Sequence, residues 1–348
     1  MKCFYAPETE THDPLFRLTY GKIQRNAEQA ERARLLLAGL DALSLSVTAP
    51  APAPQAALEA VHTKRFLDFL ETAWDHWQKL PDAGPEVVPN VFPRAATSSY
   101  PETILARAGW HMGDTSAPIG KHSWRAAVRA ADCAVAATDA VLAGAPHAYA
   151  LCRPAGHHTS AEIAAGHCLL NNAAIAAARL RTKHESVAVL DIDVHHGNGT
   201  QDIFYDRDDV LTVSIHADPT DYYPFFTGFA GETGTGAGEG YNLNLPLPRT
   251  TTDAAWLSAI DTALTRVAAF KPDALVLGLG LDTHEDDPLM GMKVTWDGLR
   301  HAGEKIAAAG YPTVLVQEGG YLSPALPKSL ASFLSGYLGV RAPALEPT

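Results

Sequence analysis

The stretch VAVLDIDVHHGNGT, residues 187–200, changes character half-way along. It begins as an apolar, β-branched run and ends in two aspartates, two histidines and a glycine turn. In an extended chain alternate residues share a face. Asp191, Asp193 and His195 therefore point one way, and Ile192 and Val194 the other. Aspartate and neutral histidine are oxygen and nitrogen ligands for zinc. Three such groups at the end of a buried strand are costly to desolvate unless a cation sits among them. A strand end that simply turns into solvent is the bland alternative, and Ile192 and Val194 argue against it because they keep the segment in a core.

Working outward, the 348 residues fit one large α/β domain or two small ones. Strands are expected at 2–6, 148–152, 187–190, 210–215, 274–279 and 313–316. Helices are expected at 26–43, 62–77, 123–142, 171–181, 253–270, 296–309 and 327–337, where apolar residues recur at helical spacing. Near-continuous apolar strands alternating with helices imply a parallel sheet covered on both faces. No internal repeat or second domain is evident, so a single domain over 1–348 is expected. The run APAPAP at 49–54 reads as a surface connection. Residues 81–120 are rich in Pro, Gly, Ser and Thr yet contain Phe92, Tyr100, Trp110, His111 and Met112. Such a long segment reads either as a lid or subunit contact, which makes a homodimer the expected assembly, or as an ordinary excursion with a small helix at 101–108.

Composition narrows the function classes. Apolar residues make up 47% and charged ones 19%, enough for a sizeable core. No apolar run reaches the length of a membrane span, and MKCFYAPETETHDP lacks the apolar middle of a signal peptide. Cys3, Cys133, Cys152 and Cys168 show no CxxC spacing and read as reduced, buried thiols. A cytoplasmic location without membrane attachment is expected. A formal charge of −12 with no Lys/Arg cluster argues against nucleic acid and suits a cationic substrate.

Polar clusters follow four of the expected strands at their C-terminal ends: RPAGHH, DIDVHHGNG, LDTHEDDP and QEGGY. In open parallel sheets ligands bind at that edge. Asp282, ending ALVLGLGLD, can reach the edge that holds Asp193 and His195 and complete a three-ligand site with an open position, the mark of a catalytic zinc. Its other reading is a helix cap. The tandem His157 and His158 can hold and move protons beside such a metal. Gly319 and Gly320 allow close backbone approach to a ligand and swing Tyr321 inward, where a phenol can stabilise a carbonyl oxygen gaining negative charge. A packed core tyrosine is the alternative.

Taken together, RPAGHH, DIDVHHGNGTQ, GLGLDTHEDDP and QEGGYL resemble the signature set of the zinc-dependent histone deacetylase superfamily, from about residue 31 to 338. HHGNG, the 81–120 insertion, and CRPAGHH with LLNNAAIAA look most like its bacterial acetylpolyamine amidohydrolase branch. The resemblance implies a three-layer α/β/α arginase–deacetylase fold with a mostly parallel eight-stranded sheet. It implies one Zn2+ held by Asp193, His195 and Asp282, with His158 as general base and acid and His157 as its electrostatic partner. Asp191 and Asn198 would be the acceptors behind the two histidines, and Tyr321 the oxyanion donor. Gly166 resembles the residue whose carbonyl takes the substrate amide N–H. Asp191 and Ser214, with backbone carbonyls including that of Ile215, resemble a structural K+ site. Arg32 resembles an arginine behind the zinc.

One position departs from the family. Where an aromatic tunnel-wall residue usually follows the glycine, this chain has His167, with Tyr223 and Leu289 supplying other wall positions and Gly320 beside them. An imidazole adds polarity and suits a shorter or more polar substrate. The expected reaction is hydrolysis of a small acetylated amine, acetylpolyamines first, with Glu102 and Asp114 as candidate acceptors for a distal ammonium. Acetyl-lysine peptides and other small amides remain open. A dimanganese ureohydrolase shares the fold but uses a D-x-H-x-D pattern, and Gly197 stands at its last position here. A non-catalytic binder would not need the complete set of histidines and Tyr321.

Overall fold

Alternate residues of the central strands face opposite sides of the sheet, and the two sides are filled differently. One face carries small or β-branched side chains such as Ala148, Val187, Val189, Val276 and Val314. The other carries larger ones such as Tyr149, Leu190, Leu211, Leu277 and Leu315. Both faces are dry, which is why the strands read as apolar runs without a polar alternation.

The computed structural model describes residues 1–94 and 99–341. Residues 95–98 of the 81–120 segment and 342–348 of the expected domain lie outside them. The strands are β1 (Lys2–Phe4), β2 (Phe16–Thr19), β3 (Lys22–Arg25), β4 (Val47–Thr48), β5 (His147–Ala150), β6 (Val187–Asp191), β7 (Val210–Ala217), β8 (Asn242–Leu247), β9 (Ala274–Leu279) and β10 (Thr313–Gln317). The helices are α1 (Glu31–Ala42), α2 (Gln55–Glu59), α3 (Lys64–Trp77), α4 (Ile104–His111), α5 (Ser123–Leu142), α6 (Asn172–Leu180), α7 (Asn198–Phe204), α8 (Asp253–Phe270), α9 (Trp296–Ala308) and α10 (Leu326–Leu338). Among the described residues, eight strands form one sheet in the order β4-β1-β5-β10-β9-β6-β7-β8. Every pairing in it is parallel. The small-residue face takes α3, α5 and α6, and the leucine-rich face takes α1, α8, α9 and α10. This is the three-layer α/β/α architecture, with a sheet wholly rather than mostly parallel.

Packing explains the division. Helix α5 is SWRAAVRAADCAVAATDAVL, and its alanines 126, 127, 130, 131, 134 and 137 are buried. A helix with methyl side chains approaches the valine-and-alanine face closely, at native packing density.

Several expectations need adjusting. Helix α1 starts at Glu31, five residues later than the periodicity suggests, because Asn26 fixes a non-helical turn. Its Oδ1 accepts the Glu28 N–H at 2.9 Å, and its Nδ2 donates to Phe16 O and Ser116 O, each at 3.2 Å. The helix expected at 101–108 lies at Ile104–His111, N-capped by the Thr103 hydroxyl. Strand β5 stops at Ala150, two residues short of the expected end. The hairpin of β2 and β3 and the edge strand β8 were not foreseen. Asn242, Asn244 and Pro246 make β8 read as a loop, and only an edge strand tolerates the proline. Among the described residues, no helix is long and apolar enough to cross a membrane.

Candidate active site

The four polar clusters leave β5, β6, β9 and β10, which are consecutive neighbours in the sheet, ordered β5-β10-β9-β6. The chain leaves β5 and re-enters at β6, with two strand positions left between them for β9 and β10 to fill later. The clusters therefore converge at a topological switch point, where strand ends leave a crevice.

Asp193, His195 and Asp282 meet there, all buried, with one donor atom from each within 4.8 Å of the others. His195 Nδ1 lies 3.0 Å from Asp193 Oδ1 and 3.2 Å from Asp282 Oδ2. The remaining carboxylate oxygens are held by backbone. Asp193 Oδ2 accepts the Gly319 N–H at 2.7 Å, and Asp282 Oδ1 accepts the Val194 N–H at 3.0 Å. Asp282 Oδ2 has no hydrogen-bond partner among the described residues. Burial opposes charge on His195, yet hydrogen bonding to Asp193 and the charge of the nearby Asp282 carboxylate outweigh it and push the imidazole up to about 9. Two buried carboxylates and an imidazole with converging donor atoms, one carboxylate oxygen among them left without a hydrogen bond, are a donor set that fits a divalent ion. Gly319 is required there, since a Cβ would overlap Oδ2 of both aspartates.

The two histidines stand in different company. His157 Nδ1 donates to Asp191 Oδ2 at 2.8 Å, and His158 Nδ1 to the amide oxygen of Asn198 at 2.7 Å. The rings lie 4.0 Å apart. For His157, burial opposes charge, but Asp191 and Asp193 outweigh it and push the pKa up to about 10. For His158, burial, then the neighbouring His157 and His195, hold it well below the usual histidine range. One imidazole is thus charged and the other neutral, with Nε2 of the neutral one bearing a free lone pair.

Tyr321 is buried beside them. Its N–H donates to Asp287 Oδ2 at 2.8 Å, and its hydroxyl lies 3.3 Å from His167 Nδ1. Arg32 lies over the phenol, 4.8 Å from its centroid, donating to Gly320 O at 2.6 Å and Glu318 O at 2.7 Å. Arg32 also pairs with Glu28, which pairs with Arg153 at 2.7 Å. Tyr223 meets the His158 ring edge-on at 4.9 Å. Its hydroxyl donates to Asp114 Oδ2 at 2.6 Å, and the same oxygen accepts the Gly166 N–H at 3.0 Å. Asp114 thereby ties Tyr223 to the Gly166 turn. Leu289 is half-buried, its carbonyl accepting from the Tyr222 hydroxyl at 3.0 Å. Glu102 is exposed before α4, whose other end joins the site through the Gly113 N–H to Ala164 O at 2.8 Å.

Ser214 pairs with Asp191 across β6 and β7, its hydroxyl 2.8 Å from His216 Nδ1. Asp191 and Ser214 border a cavity of about 10 Å³ together with Gln201, Asn242 and Asn244. Ile215 lies next along β7, its side chain in the leucine-rich core.

Four participants carry no role in the sequence reading, although Asp287 and Glu318 lie inside the LDTHEDDP and QEGGY clusters. Tyr222 stacks on His195 at 5.0 Å and 20°. Asp287 anchors the Tyr321 backbone. Glu318 Oε2 accepts the N–H groups of Gly156 at 2.7 Å and His157 at 3.1 Å. Glu28 pairs with two buried arginines, Arg32 and Arg153. Glu318 also clusters with His157 and Cys168, whose thiol is raised far above its usual range by burial.

With this geometry in place, the histone deacetylase domain profile matches residues 26–337. The chain belongs to the histone deacetylase family. Within the histone deacetylases it is 46% identical to the acetylpolyamine amidohydrolase of Burkholderia pseudomallei, over 98% of this chain and 100% of that one. It is 40% identical to acetylpolyamine amidohydrolase 1 of Pseudomonas aeruginosa, over 97% and 99%. The crystal structure of the Burkholderia pseudomallei acetylpolyamine aminohydrolase superposes with a TM-score of 0.95, covering 98% of this chain and 99% of that one.

Proposed function

We propose that this chain is a zinc-dependent amidohydrolase that removes acetyl groups from small acetylated amines, acetylated polyamines above all. One observation carries the chemistry: two adjacent imidazoles, one backed by the Asp191 carboxylate and the other by the Asn198 amide oxygen, in the same crevice as three converging buried ligand atoms. Near full-length similarity to two acetylpolyamine amidohydrolases supports the substrate class.

Asp193, His195 and Asp282 would hold the ion. When bound it supplies positive charge that polarises the acyl carbonyl and makes water a better nucleophile at neutral pH. His158 does the proton work. Asn198 fixes its Nδ1 as the N–H, so Nε2 takes the proton from water and delivers it to the departing nitrogen. The products are acetate and a free amine. His157, kept cationic by Asp191, holds the field at this centre positive as negative charge develops. The Tyr321 hydroxyl donates to the acyl oxygen, and the Gly166 carbonyl takes the substrate N–H.

Tyr321→Phe is expected to cut turnover at least about 100-fold, the scale of losing one oxyanion donor. Near-normal turnover would remove Tyr321 from that role. The substrate is tested by comparing acetylputrescine, acetylspermidine, an acetyl-lysine peptide and a neutral anilide. Clear preference for the anilide sinks the polyamine assignment.

Asp191, Ser214 and the carbonyl of Ile215 are proposed to hold a structural K+. The buried, unpaired Cys3, Cys133, Cys152 and Cys168 suit a reducing cytoplasm. A homodimer is proposed through the 81–120 segment, where Val91, Phe92 and Leu105 are exposed. Sedimentation at micromolar concentration decides it, a monomer refuting the contact.

A further inference from the structure

His167 occupies an unusual backbone position. Cys168 N–H donates to Ala165 O at 2.8 Å, and the two residues between, Gly166 and His167, have φ of +56° and +72°. Two left-handed central residues closed by that bond make a type I′ turn. Gly166 must lack a side chain, since a Cβ would overlap the His158 ring. At 167 a side chain is retained although the left-handed region disfavours one; histidine is among the residues that tolerate it best. The turn is fixed from outside by Asp114, which also holds Tyr223.

The turn aims the imidazole at the phenol of Tyr321. Nδ1 lies 3.3 Å from the hydroxyl, with ring centroids 5.6 Å apart and planes tilted by 58°, so the contact is through the ring nitrogen and not by stacking. The other nitrogen, Nε2, is buried and has no partner among the described residues. Burial, then Arg17, His195 and Arg32, hold the ring well below the usual histidine range. A neutral ring has one N–H to place. On Nε2 it would be an unpaired buried donor, and the phenol would have to spend its proton on Nδ1. On Nδ1 the orphan is a lone pair, the less costly omission, and the phenol oxygen becomes the acceptor.

We infer that His167 is a positioning residue for Tyr321, its Nδ1–H donating to the phenol oxygen so that the phenol's own proton is directed at the acyl oxygen. Chained donors polarise one another, which strengthens the second bond. The inference rests on the reading of Tyr321 as the carbonyl's donor. An aromatic hydrocarbon at 167 would fill the same wall and leave the phenol free to rotate.

A double-mutant cycle tests this. His167→Phe is expected to lower kcat about 5- to 10-fold, the worth of about one hydrogen bond, with KM unchanged. His167→Asn, which tolerates the left-handed backbone and offers an amide N–H near the place of Nδ1, is expected to recover most of the loss. In a Tyr321→Phe background His167→Phe is expected to change nothing further. If His167→Phe costs the same in both backgrounds, or raises KM alone, His167 is a wall residue and the inference falls while the Tyr321 reading stands. If Tyr321→Phe alone keeps normal turnover, both fall. Should the phenylalanine variant not fold, His167→Leu enters the same cycle. Affinity for a trifluoromethyl ketone analogue, whose hydrate mimics the tetrahedral oxygen, gives the same comparison where turnover is too slow to follow.

Discussion

His157 and His158 are neighbours of one type, and a single side-chain atom behind each separates their behaviour. Asp191 draws the first towards its cationic form, while burial and the neighbouring His157 and His195 keep the second neutral, with only the uncharged Asn198 amide behind it. Asn198→Asp should therefore raise the pKa of His158, withdraw the base near neutrality and move the acidic limb of the kcat/KM profile to higher pH. An unchanged limb would show that Asn198 does not set that protonation. Asp191→Asn removes the counter-charge of His157, whose folded pKa stands at about 10, above its unfolded value. The stability tied to that proton is fully present below about pH 6.5 and is lost as pH rises through about 10. Asp191→Asn should lower the melting temperature at pH 6 and shift the alkaline limb of activity towards neutrality. At this scale the sequence reveals the ligand trio, both histidines and Tyr321, since their spacing puts them on strand ends. Asp287 and Glu318 sit inside the quoted clusters, but their roles stay hidden because they act on backbone N–H groups, and Tyr222 acts through a ring face. Asp114 has a task that its charge alone does not reveal: it holds Tyr223 and the Gly166 turn.

Elements set how rigidly these groups are held. The QEGGY segment after β10 is gripped from Arg32 on one side and Asp287 on the other. Asp287→Ala leaves the buried Tyr321 N–H unpaired, at a cost of about 1–3 kcal/mol. Its kcat is expected to fall at least 10-fold with a smaller change in KM; a full-strength enzyme would mean the loop holds its shape without that anchor. On the far side of the sheet, Ala130 is fully buried in α5. Ala130→Leu should overpack the valine-and-alanine face, costing about 1–3 kcal/mol, seen as a melting temperature lowered by several degrees. Helices such as α5 and α8 are plain from periodicity because one face is continuously apolar. β8 and the β2–β3 hairpin are not. β8 is an edge strand with asparagine and proline in it, and the hairpin leaves Tyr20 and Ile23 exposed, so neither has the apolar pattern of a buried strand.

For the whole molecule, the order β5-β10-β9-β6 gathers loops distant in sequence onto one crevice. The parallel strands and their alternation with helices are legible in the chain, while the strand order is not, since several orders would bury the same faces. The chain as a whole carries a net charge of −12. Long-range attraction should make kcat/KM for acetylspermidine fall as salt rises and leave that for a neutral anilide flat; equal salt responses would deny any steering of cations. All of this depends on one ion held by Asp193, His195 and Asp282. Crystals measured on either side of the zinc absorption edge test that directly. The account predicts one anomalous peak per chain among those three side chains. No peak there, in protein that is fully active and indifferent to chelators, or two manganese ions in its place, would contradict it.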